Sequence, residues 1–202
     1  ETGGRNGELV TGRKGNLSLE LKIKGMAGHA AFAGKNKASA IVELAHKIIA
    51  FESLNDLDRG ISVNVGKVNG GIGPNTVPER ALARIDFRFT KIADKADLEK
   101  SISEITEKKD IPRTSSQFTI LSSRPPMPAS EQNKKLFEAV RETAASVGLS
   151  VSEEFRSGVS DANLIAEEYT PVIDGLGPVG AMDHSEDEYM IKASLLQRST
   201  SV

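Results

Sequence analysis

A few short stretches of the chain concentrate side chains capable of chemistry. His184 stands in Asp183-His184-Ser185-Glu186-Asp187-Glu188-Tyr189. A neutral imidazole is a good zinc ligand, and a neighbouring carboxylate can orient it through its other ring nitrogen. The same stretch fits a solvated acidic loop equally well. His29 lies in Gly25-Met26-Ala27-Gly28-His29-Ala30, among small residues that allow backbone and imidazole to approach another surface. Taken alone it also fits an exposed turn. Asn75 sits in Gly70-Gly71-Ile72-Gly73-Pro74-Asn75-Thr76-Val77-Pro78, a composition that a turn requires for backbone reasons alone. Arg124, before Pro125, carries a guanidinium fork suited to a carboxylate, whether of a ligand or of a residue at a domain junction. Gly158 belongs to the turn Ser157-Gly158-Val159-Ser160, after which Ser160 or Asp161 serves as a helix cap. Glu1 is unremarkable by itself, and His46 falls inside an amphipathic helix with no role assigned.

Strands and helices must position these groups. Leu17, Leu19, Leu21 and Ile23 alternate with polar residues, which predicts a half-buried strand ended by Gly25. A helix over 36–51 presents Ala38, Ile41, Ala45, Ile48 and Ile49 as its apolar stripe. Ile61, Val63 and Val65 begin a second strand, and Ala81 to Phe89 form a third by the same alternation. A helix over 95–108 follows, with Asp94 as its N-cap and Leu98, Ile102 and Ile105 inward. Residues 117–122 form a fourth strand. The order over about 16–123 is β-α-β-β-α-β, a ferredoxin-like α/β sandwich. Pro125-Pro126-Met127-Pro128 marks a boundary. Beyond it come an amphipathic helix over 131–147 stopped by Gly148, a strand near 150–155, a helix from Asp161, a strand at 171–174 and a terminal helix. That alternation predicts a parallel α/β sheet. Residues 1–15 read as a loop around a short hairpin. The expected division is 1–15, 16–124 and 125–202.

Composition narrows the function classes. The 202 residues are 38% hydrophobic and 27% charged, with net charge −2, which suits one or two globular domains. Scattered basic residues and 4% aromatics argue against a nucleic-acid surface. No apolar run approaches the roughly 20 residues of a membrane helix. With no cysteine, disulfides and thiolate metal sites are excluded, so any metal must use His, Asp or Glu. The compartment is unknown from these residues.

Taken in order, the motifs around His29, Asn75, Arg124 and His184 resemble the M20 family of zinc-dependent amidohydrolases and exopeptidases, near its carboxypeptidase G2 and acetylornithine deacetylase branches. The resemblance implies that 16–124 is the family's lid, or dimerisation, domain, flanked by the C-terminal half of an α/β zinc-peptidase catalytic domain. It implies two Zn2+ per complete site, with Co2+ or Mn2+ as possible substitutes, and His184 and Glu1 as metal ligands. His29 would reach across a homodimer to stabilise the oxyanion. Asn75 would hydrogen-bond substrate across the same dimer, Arg124 would grip a substrate carboxylate, and Gly158 would line the substrate. The implied substrate is a small peptide or an N-acyl amino acid, cleaved at an amide next to a free carboxylate.

The chain also departs from that pattern. No His-x-Asp pair is present, and the adjacent pairs Glu153-Glu154 and Glu167-Glu168 follow the lid, where they read as surface charge. The chain begins at Glu1 without an initiator Met, so it is expected to be the C-terminal portion of an enzyme whose N-terminal catalytic half is missing. Alone it is expected not to hydrolyse amides. The alternative expectation is a non-catalytic dimerisation module.

Overall fold

In the computed structural model, residues 3, 7–35, 37–167, 170–182 and 185–199 are described. The elements in chain order begin with β1 (Leu9–Arg13), β2 (Gly15–Lys24), β3 (Gly28–His29), α1 (Ala40–Glu52) and β4 (Ser62–Gly70). Next come β5 (Thr76–Val77), β6 (Arg80–Phe89), α2 (Ile92–Glu107), β7 (Ser115–Arg124) and α3 (Glu131–Ser146). The last are β8 (Glu153–Arg156), α4 (Ala162–Glu167), β9 (Gly180–Ala181), β10 (Tyr189–Met190) and α5 (Lys192–Ser199). Two compact units result: Asn16–Ser123, and Glu1–Gly15 together with Arg124–Val202.

The Asn16–Ser123 unit is an α/β sandwich around a four-stranded sheet of order β4-β6-β2-β7. The first and third long strands of the unit lie side by side in the middle, which is the split βαβ arrangement. Period-2 burial explains it: Leu17, Leu19, Leu21 and Ile23 of β2 and Ala81, Ala83, Ile85, Phe87 and Phe89 of β6 all enter one core. Helices α1 and α2 supply Leu44, Phe51, Leu98 and Ile102 to it. Strands β4 and β6 are antiparallel, with Val63 opposite Phe87 and Val65 opposite Ile85. A register shift between Val65 and Lys67 leaves Gly66 as an extra residue, so Val68, rather than Lys67, then faces Ala83.

Two helices differ from the expected limits for identifiable reasons. Helix α1 starts at Ala40, because the Ser39 side chain accepts from the Val42 N–H and caps it. Its buried face is Ala40, Glu43, Leu44, Lys47 and Phe51; of the predicted stripe Ala38 is buried and Ile48 packs against the core, whereas Ile41, Ala45 and Ile49 face outward, Ile49 at 70% exposure. The shifted face accommodates Glu43 and Lys47, which neutralise each other at i, i+4 with 3.0 Å between charged atoms and so enter the interior. Helix α2 begins at Ile92 with Lys91 as N-cap, three residues before the expected start. Asp94 is not the cap; it lies buried in the first turn and pairs with Arg59.

The other unit holds a strand that alternation could not reveal. All five residues of β1 are buried, because β8 pairs with it in parallel and Val10 bridges Asp174 antiparallel on its other edge. The predicted strand at 171–174 reduces to that bridge. Helix α3 runs as expected, capped by Ser130, which accepts from the Asn133 N–H, and Gly148 ends it at φ +80°. Val147, expected inward, is exposed. Helix α4 starts at Ala162, and Met127, Ala162, Ala166 and Val172 form a small core. Strands β9 and β10 pair antiparallel, Tyr189 opposite Ala181 and Met190 opposite Gly180.

Candidate functional site

His29 and Asn75 meet on a miniature ribbon that the periodicity did not predict. Strands β3 and β5 pair antiparallel, placing His29 opposite Thr76 and Gly28 opposite Val77. The Ala30 N–H donates to the Asn75 carbonyl at 2.9 Å. Gly73-Pro74-Asn75-Thr76 closes a β-turn through the Thr76 N–H and Gly73 carbonyl, with Pro74 at the position whose φ proline presets. The ribbon is tied to the start of α1: Gly25 N–H donates to the Glu79 carbonyl and Ala40 N–H to the Pro78 carbonyl. Gly25 is obligatory there, since a Cβ would lie 2.1 Å from the Ala38 carbonyl oxygen.

The ribbon also sets the chemistry of the imidazole. His29 Nδ1 accepts from the Ala31 N–H at 3.2 Å, so the neutral ring carries its hydrogen on Nε2. The exposed ring packs at 4.9 Å between centroids against Phe32. His29 therefore presents an N–H donor on an exposed edge. Asn75 is exposed as well, and its Oδ1 accepts from the Thr76 hydroxyl. Beside the ribbon, a groove of about 700 Å3 is lined by Thr76 and Val77, by the cations Lys22, Lys24, Lys67, Arg80 and Arg84, and by the carboxylates Glu20, which pairs with Lys22, and Glu79.

Arg124 and Gly158 belong to the other unit. The Arg124 Nη1 donates to Asp161 Oδ1 at 2.9 Å, an ion pair with the carboxylate side 86% exposed. Such an exposed pair is worth at most about 1 kcal/mol, so a ligand carboxylate can compete with Asp161. The Gly158 carbonyl accepts from Arg13 Nη1 at 3.0 Å.

Behind Gly158 stands a group that sequence reasoning missed. Arg13 is buried and directs Nε and Nη2 at the same oxygen of Asp174, at 2.9 and 2.8 Å. The Ser160 hydroxyl donates to that oxygen at 2.6 Å, and the Gly175 N–H donates to the other. Burial by itself pushes the Asp174 carboxyl up, but these donors and the Arg13 charge outweigh it and hold it below the usual carboxylate range. No spacing rule exposes a pair whose members are 161 positions apart.

Glu1 and His184, the expected metal ligands, lie outside the described residues. Among the described residues no group of three or more His, Cys, Asp or Glu is arranged to hold a metal ion. Nor, among them, is any helix long and apolar enough to cross a membrane.

Comparison with known proteins accords with this architecture. A family model described as a peptidase dimerisation domain matches residues 11–114. Carboxypeptidase G2 of Pseudomonas sp. (strain RS-16) is 26% identical over 195 residues, covering 95% of this chain and 46% of that protein. A succinyl-diaminopimelate desuccinylase of Xanthomonas campestris pv. campestris is 30% identical over 200 residues, covering 95% and 51%. The chain thus spans about half the length of the curated relatives it matches. Among solved structures, aminopeptidase PepT from Bacillus cereus superposes with a TM-score of 0.77 over 100% of this chain and 52% of that one, at 20% identity, a likeness of fold. The chain belongs to the M20 peptidase family and carries its dimerisation domain.

Proposed function

We propose that this chain is the lid and C-terminal catalytic portion of a dinuclear-zinc amidohydrolase or exopeptidase that cleaves an amide next to a free carboxylate. The observation that carries this reading is the ribbon that joins His29 and Asn75 and leaves the His29 Nε2–H as an exposed donor. A donor aimed where charge develops on a carbonyl oxygen is what amide hydrolysis needs. His184 and Glu1 would hold metal, which supplies Lewis acidity and an acidified water. Arg124 would exchange Asp161 for the substrate carboxylate, Gly158 would line that carboxylate's pocket, and Asn75 would hydrogen-bond the substrate. The excess of cations over carboxylates in the groove beside the ribbon supports an acidic substrate, of the N-acyl amino acid or peptide class.

The test uses the natural full-length polypeptide loaded with Zn2+ and compares an N-acyl amino acid with its carboxamide. The acid is expected to have kcat/KM at least about 100-fold higher, and Arg124→Met to abolish that preference. Equal rates for acid and amide in the unsubstituted enzyme would overturn the carboxylate assignment.

The alternative, a dimerisation module, has its own support. Helix α1 turns Ile41 and Ile49 outward, and β4 is an edge strand whose second half is exposed. Ile41 lies against the end of that strand, its Cδ1 3.1 Å from where a Gly71 Cβ would be. An apolar helix face beside a free edge suits pairing with a second copy. In this reading the homodimer forms through the Asn16–Ser123 unit. Ile49→Asp is then expected to weaken self-association at least about tenfold in sedimentation equilibrium. A dimer constant unchanged by Ile49→Asp would remove this surface from the interface.

A further inference from the structure

Asn163 is fully buried, and its amide satisfies three separate segments. Its Nδ2 donates to the Lys14 carbonyl at 3.0 Å and to the Pro125 carbonyl at 2.8 Å. Its Oδ1 accepts from the Ser160 N–H at 2.9 Å. Lys14 and Pro125 lie at the two points where the chain leaves this unit and re-enters it, after Gly15 and at Arg124. These segments run antiparallel at Arg13 and Met127, which exchange both backbone hydrogen bonds, at 2.8 and 3.0 Å. The Asn163 amide supplies side-chain donors to the Lys14 and Pro125 carbonyls at the crossing, where Pro125 and Pro126 have no backbone N–H of their own.

We propose that Asn163 is a positioning residue for the carboxylate-binding Arg124. It fixes the carbonyl one residue beyond Arg124, and through Ser160 it fixes the turn that carries Gly158 and Asp161. The guanidinium, its resting partner Asp161 and the Gly158 turn are thus held in one register by a single side chain. The inference rests on the reading of Arg124 given above.

The experiment compares Asn163→Ser with Asn133→Ser. Asn133 is an internal control of the same type: it is buried, donates to the Thr11 and Pro128 carbonyls, and accepts from Val172. Both variants lose stability, so stability does not discriminate. In the 202-residue chain, amide exchange at Gly15, Asn16 and Arg124 is expected to accelerate about tenfold or more in Asn163→Ser beyond the change in Asn133→Ser. In the full-length Zn2+ enzyme, Asn163→Ser is expected to raise KM for the acid substrate about tenfold with kcat within about threefold, leaving the carboxamide unaffected. Asn163→Gln, with the same donors, should recover part of the exchange protection. Equal exchange at the crossings in both serine variants would overturn the positioning role. If Arg124→Met leaves the acid preference intact, the carboxylate reading fails by itself, and the exchange comparison still judges Asn163. Should Asn163→Ser not fold, Asn163→Asp, which keeps the shape and loses the two Nδ2 donors, is measured in its place against Asn133→Asp, and equal exchange at the crossings in those two variants would overturn the positioning role.

Discussion

Lys47→Met is expected to remove about 3–5 kcal/mol of stability from the Asn16–Ser123 unit, a large share of what a domain of that size possesses. Lys47 is 1% exposed, and its ammonium contacts Glu43 and Asp110 at 3.0 and 3.2 Å and donates to the Lys108 carbonyl. Removing the cation leaves Glu43, wholly buried, as an uncompensated charge. Glu43 cannot be deleted cheaply either, because its carboxylate accepts from the Asp110 and Ile111 N–H groups and so closes the connection between α2 and β7. Urea unfolding of Lys47→Met, Glu43→Gln and the double variant forms a thermodynamic cycle. The expected result is strong coupling, with the double variant losing less than the sum of the single losses. Additive losses would show that the pair is incidental to folding.

Arg13→Met is expected to cost about 3–5 kcal/mol in the other unit and to loosen the Gly158 turn. It removes the guanidinium from Asp174, which keeps the Ser160 hydroxyl and the Gly175 N–H, and it takes away the Arg13 donor to the Gly158 carbonyl. The loss should depend on pH. The folded Asp174 carboxyl lies below its unfolded value, so its stabilisation is fully present above the unfolded value and is lost as pH falls through the folded one. In Arg13→Met the folded value rises toward the unfolded one, so the acid limb of the stability curve shifts to higher pH and flattens. Chemical denaturation from neutral pH to about pH 2 measures it. An acid limb that superposes on that of the unsubstituted chain would show that Arg13 does not set this carboxyl.

Much of the fold was legible because burial on one face imposes a period. Leu17 to Ile23 and Ala81 to Phe89 alternate without interruption, and each became a sheet strand with its odd-numbered residues in the core. That logic fails where two faces are covered or where charges cancel. Leu9–Arg13 shows no alternation because every residue is interior. Half of the inward face of α1 is invisible to a hydrophobic stripe because Glu43 and Lys47 look solvent-seeking one at a time and are buried only as a pair. The β3–β5 ribbon escaped notice because two-residue strands are too short for any period.

The sequence by itself determined the α/β class, the four long strands and two helices of the inserted unit, and which polar residues are candidates for chemistry. These follow from local rules: alternation, helical stripes, caps, and backbones that only Gly or Pro tolerates. Tertiary structure alone decided which candidates meet and what supports them. It joined His29 to Asn75, set Asp161 against Arg124, and placed Arg13, Asp174 and Asn163 behind Gly158. Such contacts couple residues from 37 to 161 positions apart. Their energy depends on desolvation and geometry at the meeting point, and neither is a property of residue type or spacing along the chain.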